Sequence, residues 1–320
     1  MAGTLAMDRT GAVIRLIAAI ACVELVALSG PLVGRAQAEE SCQPLVDTFN
    51  AALPQSKLDA TLAAARAIID GTTCRAAVRD AVGRAAALAH LHEAEQIADT
   101  PANAGKKLQL LEAGMKFGTP WQLMATIGDL RKQVRNAAGQ FDYKGASLAY
   151  QAALTDIADK QSVPVPPPPA EIRRLVHLAH QDRLAADEFM RGDVLMTRDF
   201  RGVMVESVPV PIQFVFARDE MTEQGQRYAD DMLRILRDQQ MPRIALVGHT
   251  DHVGGDQYNL ELSLRRAQAI KRFLVKEGYP AESINVEGRG WREPLQIEDE
   301  KQYTKQIIDQ MLRRVELKFR

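Results

Sequence analysis

Asp251 and Arg266 are the residues whose types and spacing first suggest chemistry. The aspartate sits in the turn GHTDHVGGDQYN, between the apolar run PRIALVGH and the periodic stretch NLELSLRRAQAIKRFL. At about 100° per residue, Asn259, Leu262, Arg266, Ala269, Ile270 and Phe273 share one helix face. An arginine in an apolar stripe needs a partner, because burying an unpaired guanidinium is expensive. The turn lies where a strand ends and a helix begins, the place where ligands bind in such sheets. An arginine gripping a carboxylate in a bidentate fork, beside an aspartate taking an ammonium, would hold an amino-acid head group. The same two side chains could instead bridge each other, and spacing alone leaves both readings open.

The elements that must position this pair read clearly. PIQFVF places Ile212, Phe214 and Phe216 on one face of a strand, with Pro209 and Pro211 kept to its start. MTEQGQRYADDMLRILRDQQ is predicted as a helix capped by Thr222, with Tyr228, Met232, Ile235 and Leu236 facing inward. PRIALVGH is a second strand, and Leu260 to Glu277 is a helix stopped by Gly278. SINVEGRG and RRVELKF supply two more strands. The order β-α-β-α-β-β predicts an α+β domain, with helices on one face of a mixed sheet.

These residues resemble a known family. GHTD, then NLELSLRRAQAIKRFL, then GRG with Pro294, then RRVELKF, look like the OmpA-like peptidoglycan-binding domain over about residues 203–320. The resemblance implies non-covalent binding of the diaminopimelate group of the peptidoglycan stem peptide, whose free end is a zwitterion. It makes Asp251 and Arg266 the principal ligand residues, with Thr250 and Asn259 in support. A further arginine comes from the last strand. Alternation puts Arg313 on the core side with Val315, Leu317 and Phe319, and turns Arg314 away with Glu316 and Lys318. Three departures stand out: Ala217 where the family often has Asp, Leu312 where it usually has Asn, and the charged helical segment LQIEDEKQYTKQIIDQML in place of a Gly/Asn-containing loop.

Upstream, residues 39–160 are predicted as an all-α domain of helical hairpins. SKLDATLAAARAIID and CRAAVRDAVGRAAALAHLHEAEQIAD carry three-to-four spacing, punctuated by Gly71-Thr72-Thr73 and by TPANAG. GTPWQLMATIGDLRKQV opens another helix, with Pro120 suited to its first turn. Ile127-Gly128, Ala146, Tyr150 and Ala153 touch on a tetratricopeptide-like pattern, although such spacing fits any tightly packed helical pair. Residues 161–169 form a proline-rich linker. Residues 170–202 hold a helix ending near Gly192 and a connection. His177 and His180 on that helix read as surface residues, and no metal site is expected.

Residues 1–38 read as a signal peptide, with Arg9 and Arg15, an apolar core and an A-x-A site before Glu39. Met7 is an alternative initiator. An uncleaved anchor is interrupted by Glu24, and AIAC, Ala19 to Cys22, resembles a lipoprotein box only faintly. The two cysteines left after cleavage, Cys42 and Cys74, suit one disulfide in an oxidising compartment. Closing a loop of about 30 residues stabilises a domain by on the order of 3–4 kcal/mol in the chain-entropy model. Basic and acidic residues nearly balance, 40 against 41, which leaves no nucleic-acid footprint.

The combined expectation is a periplasmic, wall-associated binder with no catalytic residue, metal or cofactor. Its partners would be peptidoglycan and, through residues 39–160, an unidentified periplasmic or envelope protein. Two alternatives remain from other classes. One is an inner-membrane-anchored, stator-like wall-binding protein. The other is a metal-dependent wall hydrolase using His249, Asp251 and His252, crowded into one turn.

Overall fold

The computed structural model describes residues 32–53, 57–136, 139–186, 191, 194–215 and 217–320. The leader expected over residues 1–38 lies outside the described residues up to residue 31, and residues 32–38 fall in the first helix. None of the described helices is long and apolar enough to cross a membrane.

The chain forms two compact units, Met1–Leu130 and Arg131–Arg320. The first contains α1 (Leu32–Ala52), α2 (Leu58–Ile69), α3 (Ala76–Glu95) and α4 (Pro101–Gly114), and α5 (Trp121–Arg131) ends at the division. TPANAG punctuates the helices as expected, with Thr100 at the N-cap of α4 after the break that follows Glu95. Pro101 occupies the first helical position, where its fixed φ is preorganised and its missing N–H is not needed. The core gathers Phe49, Ala65, Ile68, Val82, Ala85 and Ala86 around the disulfide Cys42–Cys74, which joins α1 to the loop before α3.

The second unit contains α6 (Tyr143–Ala158) and α7 (Pro169–Ala185), which pack on each other, with the Ser147 hydroxyl donating to Ala179 O at 2.8 Å. The proline-rich segment expected to separate domains therefore lies inside this unit, between two helices packed on each other. Helix α7 stops at Ala185, short of Gly192, because Ala186 turns extended. Its last turn buries Gln181, Asp182 and Arg183, and His180 is buried too, against the surface role expected for it. His180 Nε2 lies 2.9 Å from Leu195 O.

A short ribbon follows, β1 (Asp199–Phe200) with β2 (Val203–Met204), which the sequence pattern did not announce. The main sheet contains β3 (Ser207–Val210), β4 (Ile244–His249), β5 (Ile284–Gly290) and β6 (Val315–Phe319), in the order β3-β6-β4-β5. β4 and β5 are parallel, and the other two pairings are antiparallel. Helices α8 (Glu223–Asp238), α9 (Asp256–Lys276) and α10 (Lys305–Leu312) fall between successive strands. The expected α+β order is present, with α10 added before the final strand.

The first main strand lies one step earlier than PIQFVF suggested. Ser207–Val210 pairs with β6, and Pro209 sits opposite Glu316. β3 is an edge strand, where a residue without an N–H does not have to serve a second ladder. Ile212 is buried and Phe214 makes only an isolated bridge to Met221, while Phe216 lies outside the described residues.

Burial pushes the His180 imidazole down to about 3, with Arg183 and His177 acting in the same direction against the Leu195 carbonyl. The unfolded chain binds a proton near 6.5 that the folded chain refuses. Stability is thus full above pH 6.5 and falls by up to about 1.4 kcal/mol per pH unit as acid is added toward pH 3. Urea melts at pH 7 and pH 4.5 are expected to show this loss, with a smaller loss in His180→Gln. Equal slopes in the two proteins would exclude His180 as its source.

Candidate ligand site at the end of the central strand

α9 runs against β4 and β5 at very short range. A β-carbon at Gly248 would lie 2.1 Å from Ser263 O, and one at Gly288 would lie 2.7 Å from both Leu260 O and Leu264 N. Only glycine permits this approach. It brings Asn259 and Arg266 of α9 under the turn that leaves β4.

That turn is closed by its own polar groups. Asp251 Oδ1 accepts from Val253 N at 2.9 Å, and Asn259 Nδ2 donates to Val253 O at 3.1 Å. Thr250 N donates to Gly290 O at 2.9 Å, tying the turn to the end of β5. Gly254 takes φ +104°, which ordinary side chains avoid. Asn259 is only 1% exposed, and its amide holds the turn through Val253 O. Thr250 is buried and its hydroxyl has no partner among the described residues, so it remains a donor and acceptor beside Asp251.

The two expected ligand residues do not bridge each other. Asp251 Oδ2 accepts from Arg313 Nη1 at 2.6 Å. Arg266 donates through Nε to Arg218 O at 3.1 Å, and its guanidinium carbon lies 5.1 Å from the Phe214 ring centroid. It makes no ion pair among the described residues, although it is only 6% exposed. Desolvation, then the charge of Arg313, lowers its pKa; Asp251, Tyr258 and Asp219 oppose them. A guanidinium stays protonated through such a shift, so a buried charge faces inward without a carboxylate.

Arg266 and Arg313 open onto one cavity of about 210 Å³, lined also by Leu184, Pro211, Gln213, Phe214 and Gln310. Arg313 reaches the site, but not for the reason alternation suggested. It follows α10 and precedes β6, is itself exposed, and so obeys no strand period. The buried member of the pair is Arg314, expected to point away. Its Nε and Nη2 donate to Glu316 Oε1 at 3.0 and 2.5 Å, and Nη2 also donates to Glu293 O at 3.2 Å.

His249 Nε2 lies 3.5 Å from Glu316 Oε1, and burial with the Arg314 charge pushes its pKa down, so the ring is neutral near pH 7. His252 lies instead against Trp291, ring centroids 5.4 Å apart. The three side chains of the hydrolase alternative therefore turn to different partners. At Ala217 the backbone adopts φ +56°, and the neighbouring carbonyl of Arg218 is the group that meets Arg266. Sequence reasoning missed Leu184, Gln310 and Phe214 as cavity walls. Phe214 carried a period-two signal, whereas nothing local marks Leu184 or Gln310.

The α+β domain thus holds two arginines at one cavity, with Asp251 outside its lining but bound to Arg313. Residues 213–307 match the OmpA family. Outer membrane protein A of Shimwellia blattae is 33% identical over 86 residues, 26% of this chain and 36% of that protein. Outer membrane protein A of Serratia marcescens is 35% identical over 81 residues, 25% of this chain and 23% of that one. The match thus spans well under half the length of either relative. Among solved structures, the peptidoglycan-associated lipoprotein from Burkholderia pseudomallei is similar at 23% identity over 36% of this chain and 91% of that one, TM-score 0.30. The cell wall anchor of the T6SS from Pseudomonas aeruginosa follows at 22%, 35% and 78%, TM-score 0.29.

Gly248→Ala is expected to cost about 1–3 kcal/mol in a denaturant melt, because α9 must move off β4. Gly255→Ala, whose β-carbon would meet nothing within 4 Å, is the control and should change little. Equal effects would mean that the close approach does not hold the site.

Proposed function

We propose that this chain binds peptidoglycan non-covalently through the diaminopimelate group of the stem peptide, as a binder and not an enzyme. The observation that carries this reading is Arg266, a buried guanidinium facing a cavity with no carboxylate of its own. A ligand carboxylate would complete it. Asp251 keeps accepting capacity beyond Val253 N and Arg313, since each carboxylate oxygen has two lone pairs, and it would take the ligand ammonium. The Thr250 hydroxyl, without a partner among the described residues, adds a further contact. The OmpA-family match over residues 213–307 supports the same reading.

The helical unit ending at Leu130 would then be held at the wall, where it meets an envelope protein, and the disulfide fits an oxidising periplasm. Mass spectrometry of the exported protein is expected to give a mature start at Glu39. A start at Met1 or Met7 would favour the membrane-anchored alternative.

The direct test is co-sedimentation of the full-length mature chain with diaminopimelate-type sacculi. Wild type should pellet, and Asp251→Ala and Arg266→Ala should each weaken binding by tenfold or more, the size of one charge-assisted hydrogen bond of about 1.5–3 kcal/mol. Circular dichroism checks that both variants fold. Folded variants that pellet like wild type would refute the site, and a wild type that stays in solution would refute the function.

A further inference from the structure

The surface around the turn that carries Asp251 is aromatic and apolar, and the binding of a zwitterion makes no use of it. Among the described residues seven large hydrophobic side chains are exposed, and three of them, Val253, Tyr258 and Trp291, stand at this one turn. Single exposed hydrophobes need no explanation, whereas a group of them marks a contact surface. Trp291 follows Gly290, whose carbonyl accepts from Thr250 N at 2.9 Å, and its ring lies 5.4 Å from that of His252 at a tilt of 55°. Val253 N donates to Asp251 Oδ1 at 2.9 Å. Tyr258 lies beside the turn, since a β-carbon at Gly254 would stand 3.4 Å from its Cδ1. Its hydroxyl reaches Ala217 O at 3.5 Å, one residue before the carbonyl that meets Arg266. Past Trp291, Arg292 Nε and Nη2 donate to Asp256 Oδ1 and Oδ2 at 3.2 and 2.5 Å, which ties the segment to the first turn of α9. The residues on both sides of the indole are thus anchored, and the indole itself stays 38% exposed.

We infer that Trp291, with His252, Val253 and Tyr258 around it, is a saccharide platform, stacking a pyranose of the glycan strand whose stem peptide is held at Asp251 and Arg266. This rests on the peptidoglycan reading above. A pyranose presents a face of C–H groups rimmed by hydroxyls. The C–H groups suit the electron-rich face of an indole, and the hydroxyls meet the exposed charges of Arg292 and Asp256 beside it. A sugar joined to the held residue by a short peptide stays within roughly 10 Å of it, at about 3.5 Å per residue. His252 is the next residue after Asp251, and Trp291 lies against it, so the platform falls within that reach. The tether makes the second contact intramolecular, and at a high effective concentration even a weak stack adds to affinity. A protein partner fits less well. A stable protein interface takes about 20–30 residues a side, whereas this patch is four side chains bordered by the exposed charges of Asp256, Arg289, Arg292 and Glu293. Its extent matches a sugar ring.

The test is calorimetric titration of the full-length mature chain with two probes, a bare diaminopimelate tripeptide and the same tripeptide carrying N-acetylmuramic acid. Wild type should bind the muramyl form about three- to tenfold tighter, the size of one aromatic stack. Trp291→Ala should bind the bare tripeptide as wild type does and gain nothing from the sugar, while Trp291→Phe should keep most of the gain. Tryptophan emission should shift on adding the muramyl form and not the bare form, and Trp291→Phe should lack that shift. Melting temperatures confirm folding. Equal binding of both probes by wild type overturns the platform, leaves the stem-peptide reading intact and turns the patch toward a protein partner. Equal weakening of both probes in Trp291→Ala also overturns it, because the indole would then act through the Asp251 turn. Binding of neither probe by wild type overturns the stem-peptide reading, and the platform with it.

Discussion

The close approach of α9 to the parallel strands β4 and β5 is the constraint on which the site depends. With no β-carbon at Gly248 and Gly288, the helix backbone lies directly on the sheet. Asn259 then reaches the turn after β4, and Arg266, two turns on, emerges beside the residues that follow β3 and α10. A side chain at either glycine would lift the helix, and the turn would lose the Asn259 amide that holds Val253 O. The chemistry of the site is thus set by a backbone spacing before any charge is considered.

Charge is then distributed unequally by burial. Arg314 is deep, yet it is answered by Glu316 and the Glu293 carbonyl, and its position relative to β6 is structural. Arg313 is exposed and paired with Asp251, a contact that solvent screens in part. Arg266 is as buried as a core residue and receives only a carbonyl and an aromatic face. Those contacts offset some of its desolvation, through the carbonyl dipole and the ring quadrupole, but they supply no negative charge. Of the three arginines, it is the one whose environment improves most when an anion arrives.

How far the sequence exposed this depended on the range of each signal. Arg266 and Asp251 were legible because helical period and turn position are local. The order of strands and helices was legible for the same reason, as was the Cys42–Cys74 pairing. The burial of Arg313 and Arg314 was inverted because the alternation rule was extended past the start of β6 at Val315, onto residues that a helix end positions. The edge strand moved to Ser207–Val210 because Pro209 argued locally against it, while the tolerance of an edge is a property of the whole sheet. His180 looked like a surface residue because only tertiary packing places it against Leu195.

The segment 295–312, a departure from the family pattern in sequence, gains a physical reason in the structure. Its charged, helical character is what an exposed face requires, while Tyr303 and Met311 turn inward with Leu184, Ala185 and Tyr143, and Leu312 is buried as well. A flexible Gly/Asn loop at this place could not accept the Asp182 and Gln181 side chains, whose burial demands fixed partners. The helix pair α6–α7 and the segment before β6 are therefore mutually required. Removing α7 would leave Tyr303 and Gln310 without the groups that orient them, and one side of the Arg266 cavity open to water. A more open cavity raises the effective dielectric around the guanidinium and weakens every charge interaction it makes. The last turn of α7 is on this argument a wall of the Arg266 cavity and one source of the low dielectric around the guanidinium.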